Sequence, residues 1–131
     1  MPKVFLSHSR RDADLAASVA RELRRLGVEA FDVFEHVASG EGWRRTVKAA
    51  IRRAEGFVLV VGVPEVAASS WTGYELGMAE ALGKPILILL SHNRTASELP
   101  IEMSELPVLS FDPKRPEHAA RAIADRFFAA A

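Results

Sequence analysis

The sequence predicts an α/β domain with a flavodoxin-like, doubly wound parallel sheet of five strands in the order 2-1-3-4-5, with helices on both faces. Three observations lead to this prediction. Short apolar runs alternate with amphipathic stretches of helical period along the 131 residues. Glycine, proline or serine separates the members of each pair. The runs 57–61 and 86–90 are apolar without alternation, which is typical of strands covered by helices on both faces. Five β-α units of this length suit the flavodoxin-like order with right-handed crossovers.

Each element has its own local evidence. Apolar residues recur at helical spacing after Asp12, and Gly27 and Gly83 supply stops for the first and third helices. Pro116 suits the first residue of a closing helix. Segment 91–107 is the least regular and is expected to hold only a short helical turn. The predicted strands are 3–7, 28–34, 57–61, 85–90 and 108–111, and the predicted helices are 12–26, 43–54, 71–82 and 116–127.

The composition predicts one soluble globular domain over residues 1–131. Hydrophobic residues make up 49% and charged residues 26%, and 17 basic side chains balance 17 acidic ones. This balance argues against nucleic acid or an anionic membrane as the main partner. The absence of cysteine excludes thiolate nucleophiles and cysteine zinc sites. The N-terminus lacks a signal-peptide pattern and no apolar run is long enough to span a bilayer, so a cytoplasmic location is expected.

The predicted topology indicates where a ligand would bind. Doubly wound sheets bind ligands outside the carboxyl ends of their strands, at the point between strands 1 and 3 where the strand order reverses. The residues that the sequence places at this point are Ser7, His8 and Ser9, then Asp32 and Phe34, and then the segment 62–75.

Several common uses of this topology are excluded by the residues present. The turn 7–12 contains no glycine, which excludes a Rossmann dinucleotide site and a P-loop. The third strand ends in Val61 and Gly62, without the acidic residue that a phosphorylatable receiver needs. The four histidines show no metal-ligand spacing, so no metal site is predicted and each is interpreted as a surface or loop residue. No Ser-His-Asp arrangement can be assigned.

Glu75 is the best candidate for chemistry. At about 100° per residue, the apolar side chains of Trp71, Met78, Ala79 and Leu82 bracket it on one helical face. A carboxyl group held against apolar groups is desolvated, which raises its pKa, and such shifts are common at functional sites. An alternative stays open at this point, because residues 72–75 also fit a capping box. In that motif the glutamate only accepts a hydrogen bond from a free backbone N–H at the start of the helix.

Three stretches of the sequence resemble those of the TIR (Toll/interleukin receptor) domain family, and the bacterial kind most. They are Val4 to Asp12, which contains Phe-Leu-Ser-His-Ser, the segment Phe31 to Gly40 leading to Trp43, and the run Ser69 to Glu75 with its Ser-x-Trp-x-x-x-Glu pattern. The resemblance covers nearly the whole chain in order and spacing. It implies the same flavodoxin-like fold that the periodicity predicts.

The resemblance also implies an activity. Many members of the family cleave NAD at the nicotinamide glycosidic bond with the glutamate at the position of Glu75, which gives nicotinamide and ADP-ribose or a cyclic isomer. NAD is then the substrate, and no cofactor is expected. Such enzymes typically become active by self-association or with another TIR domain, in bacterial defence or as effectors. The residues that the resemblance assigns to the substrate are Ser7, His8, Ser9, Phe34 and Trp71, with Asp32 beside them although many members carry their aspartate at the position of Val33.

Two other functions remain as alternatives. The chain could be a non-catalytic TIR scaffold for homotypic assembly, with Glu75 as a helix cap. The stretch Glu75 to Pro85 also resembles nucleoside deoxyribosyltransferases, which use a glutamate in a related fold.

Overall fold

The computed structural model describes residues 2–32, 42–62 and 70–128. Within them, strands and helices alternate along the chain as the sequence predicts. The elements are β1 (Lys3–His8), α1 (Ala13–Arg25), β2 (Glu29–Asp32), α2 (Trp43–Arg53), β3 (Gly56–Val61), α3 (Ser70–Ala81), β4 (Ile86–Ser91), β5 (Val108–Phe111) and α4 (Pro116–Phe128).

The five strands form one parallel sheet in the order β2-β1-β3-β4-β5, which confirms the predicted fold class. β1 therefore lies between β2 and β3. In the register of the sheet Leu6 pairs with Asp32, and His8 pairs with Val60. The carboxyl ends of these three strands thus meet at one edge, where the chain order reverses.

The sheet carries a separate apolar core on each face. Val4 and Leu6 of β1 belong to the core that α1 and α4 cover. Phe5 belongs to the opposite core, which α2 and α3 cover. Because successive residues of a strand point to opposite faces, a sheet with both faces covered needs uninterrupted apolar strands, as in β3. The prediction of helices on both faces is confirmed.

Three phenylalanine rings stack across the strands of the second core. Phe31, Phe5 and Phe57 occupy paired positions on β2, β1 and β3. The ring centroid of Phe5 lies 5.5 Å from that of Phe31 and 5.5 Å from that of Phe57, with interplanar angles of 22° and 7°. Offset stacking of this kind adds to the burial of the rings, so it fixes the register of the three strands that end at the switch point.

Some element boundaries differ from those predicted. β1 continues through His8 because that residue still pairs with β3. The described part of β2 ends at Asp32, and the predicted continuation to Phe34 lies outside the described residues. Segment 91–107 holds two 3-10 turns, Ala96–Glu98 and Ile101–Met103, where one was expected. None of the helices in the described part of the chain has the length and apolarity that a bilayer crossing requires.

The packing of α4 on the sheet gives a test of the fold. A methyl group on Gly56, at the start of β3, would lie 2.7 Å from the ring of Phe127. Gly56→Ala therefore forces the ring away from the sheet. We expect it to lower the free energy of unfolding by about 1 to 3 kcal/mol, measured by urea denaturation.

The matched control is Gly77→Ala in the exposed face of α3, where an added methyl group meets nothing within 4 Å. It should stabilise the protein by about 0.5 to 1 kcal/mol, as alanine does in a helix interior. A Gly56→Ala protein as stable as the Gly77→Ala protein would contradict the described packing of Phe127.

Candidate active site

Four polar side chains come together, buried, at the carboxyl edge of the sheet. Ser7 and His8 end β1, Asp32 ends β2, and Glu75 projects from α3. Their relative exposures are 0%, 1%, 1% and 0%, respectively. Charged side chains are rarely buried to this extent unless they are paired or functional, so this edge of the sheet is the candidate site that the topology predicts.

Glu75 lies in the second turn of α3 and points towards the sheet. Its neighbours Leu76 and Ala79 are buried in the core between α3 and the sheet, which confirms the predicted direction of the side chain. The hydroxyl group of Ser7 donates a hydrogen bond to Oε1 of Glu75 at 2.5 Å. The other oxygen, Oε2, is buried and has no hydrogen-bond partner among the described residues.

The capping-box alternative for Glu75 is wrong. α3 begins at Ser70, so Thr72 lies inside the helix and is not its N-cap. The carboxyl group meets Ser7 of β1, 68 positions earlier in the chain. Glu75 therefore makes a tertiary contact between α3 and β1.

The surroundings of Glu75 favour its neutral form. Burial raises the pKa of the carboxyl group from 4.5 to about 8. The hydrogen bond from Ser7 and the charge of His8 work in the opposite direction, and the negative charge of Asp32 adds to the rise. At neutral pH the isolated site therefore holds a carboxyl group that is mostly protonated.

His8 and Asp32 form a buried pair beside Glu75. Nε2 of His8 lies 2.8 Å from Oδ1 of Asp32, and Nδ1 lies 2.8 Å from the carbonyl oxygen of Ser9. Burial lowers the pKa of His8, but the two hydrogen bonds and the charges of Asp32 and Glu75 outweigh it, so the pKa is raised above 6.5. The interpretation of His8 as a surface or loop residue is wrong, because His8 is the last residue of β1 and its side chain is buried.

The other described histidines, unlike His8, lie at the surface. His92 and His118 are exposed, as predicted. His36 lies outside the described residues. Among the described residues, no group of three acidic or histidine side chains could hold a metal ion.

Asp12 completes the polar edge, and the sequence analysis missed it. Its Oδ2 accepts hydrogen bonds from Ser9 Oγ at 3.3 Å and from the backbone N–H of Gly62 at 3.2 Å. A methyl group on Gly62 would lie 2.7 Å from the other oxygen of Asp12, so the close approach requires glycine. Asp12 thus ties the turn after β1 to the end of β3. Extending the apolar spacing of α1 backwards from Ala16 places Asp12 on its buried face, which is the signal that could have revealed it.

Two predicted site residues lie outside the described side chains. Phe34 lies in the segment 33–41, which is not among the described residues. Trp71 belongs to α3, and nothing of its side chain is described. Ser7, Asp32, His8 and Glu75 are brought together as expected, and Ser9 lies beside them.

A sequence model of the TIR domain family matches residues 4–124 of the chain. The chain therefore belongs to the TIR domain family. The same fold occurs in the TIR domain of the Toll-related receptor TRR-2 from Hydra magnipapillata, with a TM-score of 0.75, 17% identity and coverage of 95% of this chain and 96% of that one.

Other solved structures share the fold at similarly low sequence identity. A TIR-STING receptor from C. gigas, in complex with 2',3'-cGAMP, has a TM-score of 0.69 and 18% identity, with 89% of this chain matching 38% of that one. The CMP N-glycosidase BcmB of Clostridium botulinum has a TM-score of 0.60 and 21% identity, covering 92% and 97% of the two chains. A 2-deoxyribosyltransferase from Bacillus psychrosaccharolyticus has a TM-score of 0.64 and 22% identity, covering 88% and 90%. A comparison with curated protein sequences finds no significant match.

The raised pKa of Glu75 predicts how stability depends on pH. Between pH 4.5 and about 8 the unfolded chain has lost the Glu75 proton while the folded protein keeps it, so rising pH favours unfolding. Glu75→Gln keeps an acceptor for Ser7 and removes this titration. We expect the free energy of unfolding of the variant, relative to that of the wild type, to increase by about 1.4 kcal/mol for each unit by which the pH rises in this range.

Urea denaturation at pH 5, 6, 7 and 8 measures this difference. Glu80→Gln, which changes an exposed side chain of the same helix, is the matched control. A stability difference between Glu75→Gln and wild type that stays constant from pH 5 to pH 8 would contradict the prediction.

Proposed function

We propose that the protein is an NAD glycohydrolase in which the carboxylate of Glu75 drives the departure of nicotinamide. The observation that carries this proposal is the buried Glu75 carboxyl group, with one oxygen held by Ser7 and the other without a partner among the described residues. It lies at the carboxyl edge of the sheet, where this topology binds ligands.

The chemistry suits a single carboxylate. The bond between the ribose C1' and the pyridinium nitrogen breaks, and its electron pair goes to the ring, so nicotinamide leaves as a neutral molecule without a general acid. The ribose becomes a cation of oxocarbenium type, which an adjacent carboxylate stabilises or briefly traps. Water then adds at C1' and releases a proton to give ADP-ribose, or a nucleophile of the substrate itself closes a cyclic isomer.

The burial of Glu75 favours a cationic substrate. A carboxyl group that is neutral in the empty site gains an opposite charge when the pyridinium ring arrives, and an opposite charge lowers the pKa of an acid. Binding of NAD would therefore help to ionise Glu75. A neutral nucleoside offers no such effect, which favours NAD over ordinary nucleosides as the substrate.

The other residues of the site have proposed roles that follow from the resemblance to the TIR family and, for Ser7, from its contact with Glu75. Ser7 orients Glu75 through its hydroxyl group. Phe34 and Trp71 are proposed to line the nicotinamide and ribose pocket. Ser7, His8 and Ser9 are proposed to contact the ribose or diphosphate, and Asp32, hydrogen-bonded to His8, is proposed to belong to the same substrate site. No cofactor is required, because NAD is consumed as the substrate.

Structural neighbours support chemistry at a glycosidic bond. One is an N-glycosidase of CMP, and another is a deoxyribosyltransferase described as a biocatalyst for nucleoside synthesis. Both share the fold at under 25% identity. They favour a second candidate, an enzyme that acts on a nucleoside or nucleotide other than NAD, over a non-catalytic scaffold.

We also propose that activity depends on self-association with a second TIR domain, since that is what the family resemblance implies. A cytoplasmic role follows from the substrate, because NAD is an intracellular dinucleotide. Specific activity should then rise with protein concentration or on addition of a crowding agent.

The central prediction concerns nicotinamide release. Purified protein, incubated with NAD at high concentration and with a crowding agent, should release nicotinamide, which chromatography detects. Glu75→Gln should lower the rate by at least about 100-fold because it removes the charge that stabilises the transition state. Glu80→Gln, on the exposed side of α3, should retain the wild-type rate.

The same assay separates the alternatives. Release of base from CMP or deoxynucleosides, without release of nicotinamide from NAD, would replace the proposal by the second candidate. If the self-associated protein turns over none of these substrates, the non-catalytic scaffold is the function that remains. A Glu75→Gln protein as active as Glu80→Gln would exclude Glu75 as the reacting group.

The pH dependence of the reaction gives a further prediction. If the ionised form of Glu75 is active and the pKa in the free protein is about 8, kcat/KM for NAD rises with pH and levels off near that value. Below the midpoint, the expected rise is about tenfold per pH unit. Initial rates from pH 5.5 to pH 9 test this, and a profile that falls across this range would contradict a carboxylate mechanism.

A further inference from the structure

The two hydrogen bonds of His8 determine how many protons its ring carries. The carbonyl oxygen of Ser9 can only accept, so the Nδ1 atom 2.8 Å away must donate a hydrogen to it. Nε2 lies 2.8 Å from a carboxyl oxygen of Asp32, and a hydrogen must lie between these two atoms as well. With Asp32 as the carboxylate, both ring nitrogens carry hydrogen and the ring is a cation.

This cation and its partner act on Glu75 from the neighbouring strands. His8 attracts a negative charge on Glu75, and Asp32 repels it. The third buried acid among the described residues of this edge, Asp12, is held by Ser9 and by the backbone of Gly62. β3 contributes only Val60 and Val61 beside the end of β1. Among the described residues, the balance between this cation and this anion therefore acts most directly on the charge of Glu75.

We propose that His8 is a positioning residue whose positive charge compensates Asp32, so that the carboxyl group of Glu75 can ionise when the substrate is present. This inference rests on the proposed role of Glu75 as the reacting carboxylate. His8 makes no covalent contact and transfers no proton in this proposal. The positive charge of His8 cancels the negative charge of Asp32, so the pair adds no net negative charge beside Glu75.

The proposal predicts a different ionisation of Glu75 in each of two single variants and in their combination. His8→Gln keeps an N–H for Asp32 but leaves a net negative charge, so ionisation of Glu75 becomes harder. Asp32→Asn removes that negative charge, so ionisation of Glu75 becomes no harder than in the wild type. The double variant His8→Gln with Asp32→Asn again has no net charge, so Glu75 should ionise at nearly the wild-type pH. A merely structural role predicts instead that two changes in one buried pair disturb Glu75 more than one does.

The experiment is a titration of Glu75 by NMR, with glutamate labelled at the side-chain carboxyl carbon. The Glu75 signal is assigned by its loss in Glu75→Gln. The midpoint in His8→Gln should lie about one pH unit or more above the wild-type value. In the double variant it should return to within about half a unit of the wild-type value, which is the rescue expected when the net charge of the pair is restored. His118→Gln, which removes an exposed histidine on α4, is the control and should leave the midpoint unchanged.

This titration needs no turnover, so its result is independent of whether NAD is the substrate. If NAD is hydrolysed, the midpoint of the acidic limb of kcat/KM against pH should rise by about one pH unit in His8→Gln and return towards the wild-type midpoint in the double variant, whatever the height of the plateau. If His8→Gln does not fold, the nitrogen-15 spectrum of wild-type His8 decides. Two ring N–H groups at pH 7 support the proposal, and a neutral ring overturns it. An unshifted midpoint in His8→Gln, or a double variant no better than the single one, also overturns it.

Discussion

The buried contact between Ser7 and Glu75 is the interaction on which the candidate site depends. It joins the end of the interior strand β1 to helix α3, and it holds a carboxyl group that is fully buried in the structure. Burial of this kind opposes folding once the group is charged. The apolar contacts of Leu76 and Ala79 with the sheet must therefore stabilise the packing of α3. A carboxyl group kept under these conditions responds strongly to any charge placed beside it, which is the property that the proposed chemistry uses.

Much of the fold could be predicted because it is encoded in local patterns. The uninterrupted apolar run of β3 indicates a strand covered on both faces, and Gly27 and Gly83 mark the ends of helices. The inward direction of Glu75 follows from its spacing to Ala79 on one helical face. Each of these features depends on residues within a few positions of one another, so a single sequence contains the information.

The partners of the buried polar groups could not be predicted in the same way. His8 meets Asp32 across 24 positions, and Asp12 meets Gly62 across 50. Such pairs are set by the register of strands and by where a turn places its side chains, which local spacing does not contain. The capping-box interpretation of Glu75 had the correct spacing and was wrong because α3 begins at Ser70, two residues before Thr72. The element types were thus easier to predict than the contacts between them.

The position of β2 at the border of the sheet has a consequence for communication within the molecule. Among the described strands it pairs with β1 alone, through four residues, and its aromatic side chain Phe31 stacks on Phe5. Its last residue, Asp32, is in turn hydrogen-bonded to His8. In addition to the backbone pairing, the ring stack of Phe31 on Phe5 and the pair of Asp32 with His8 join this border strand to β1. This edge strand is therefore mechanically coupled to the strand whose Ser7 holds the buried carboxyl group of Glu75.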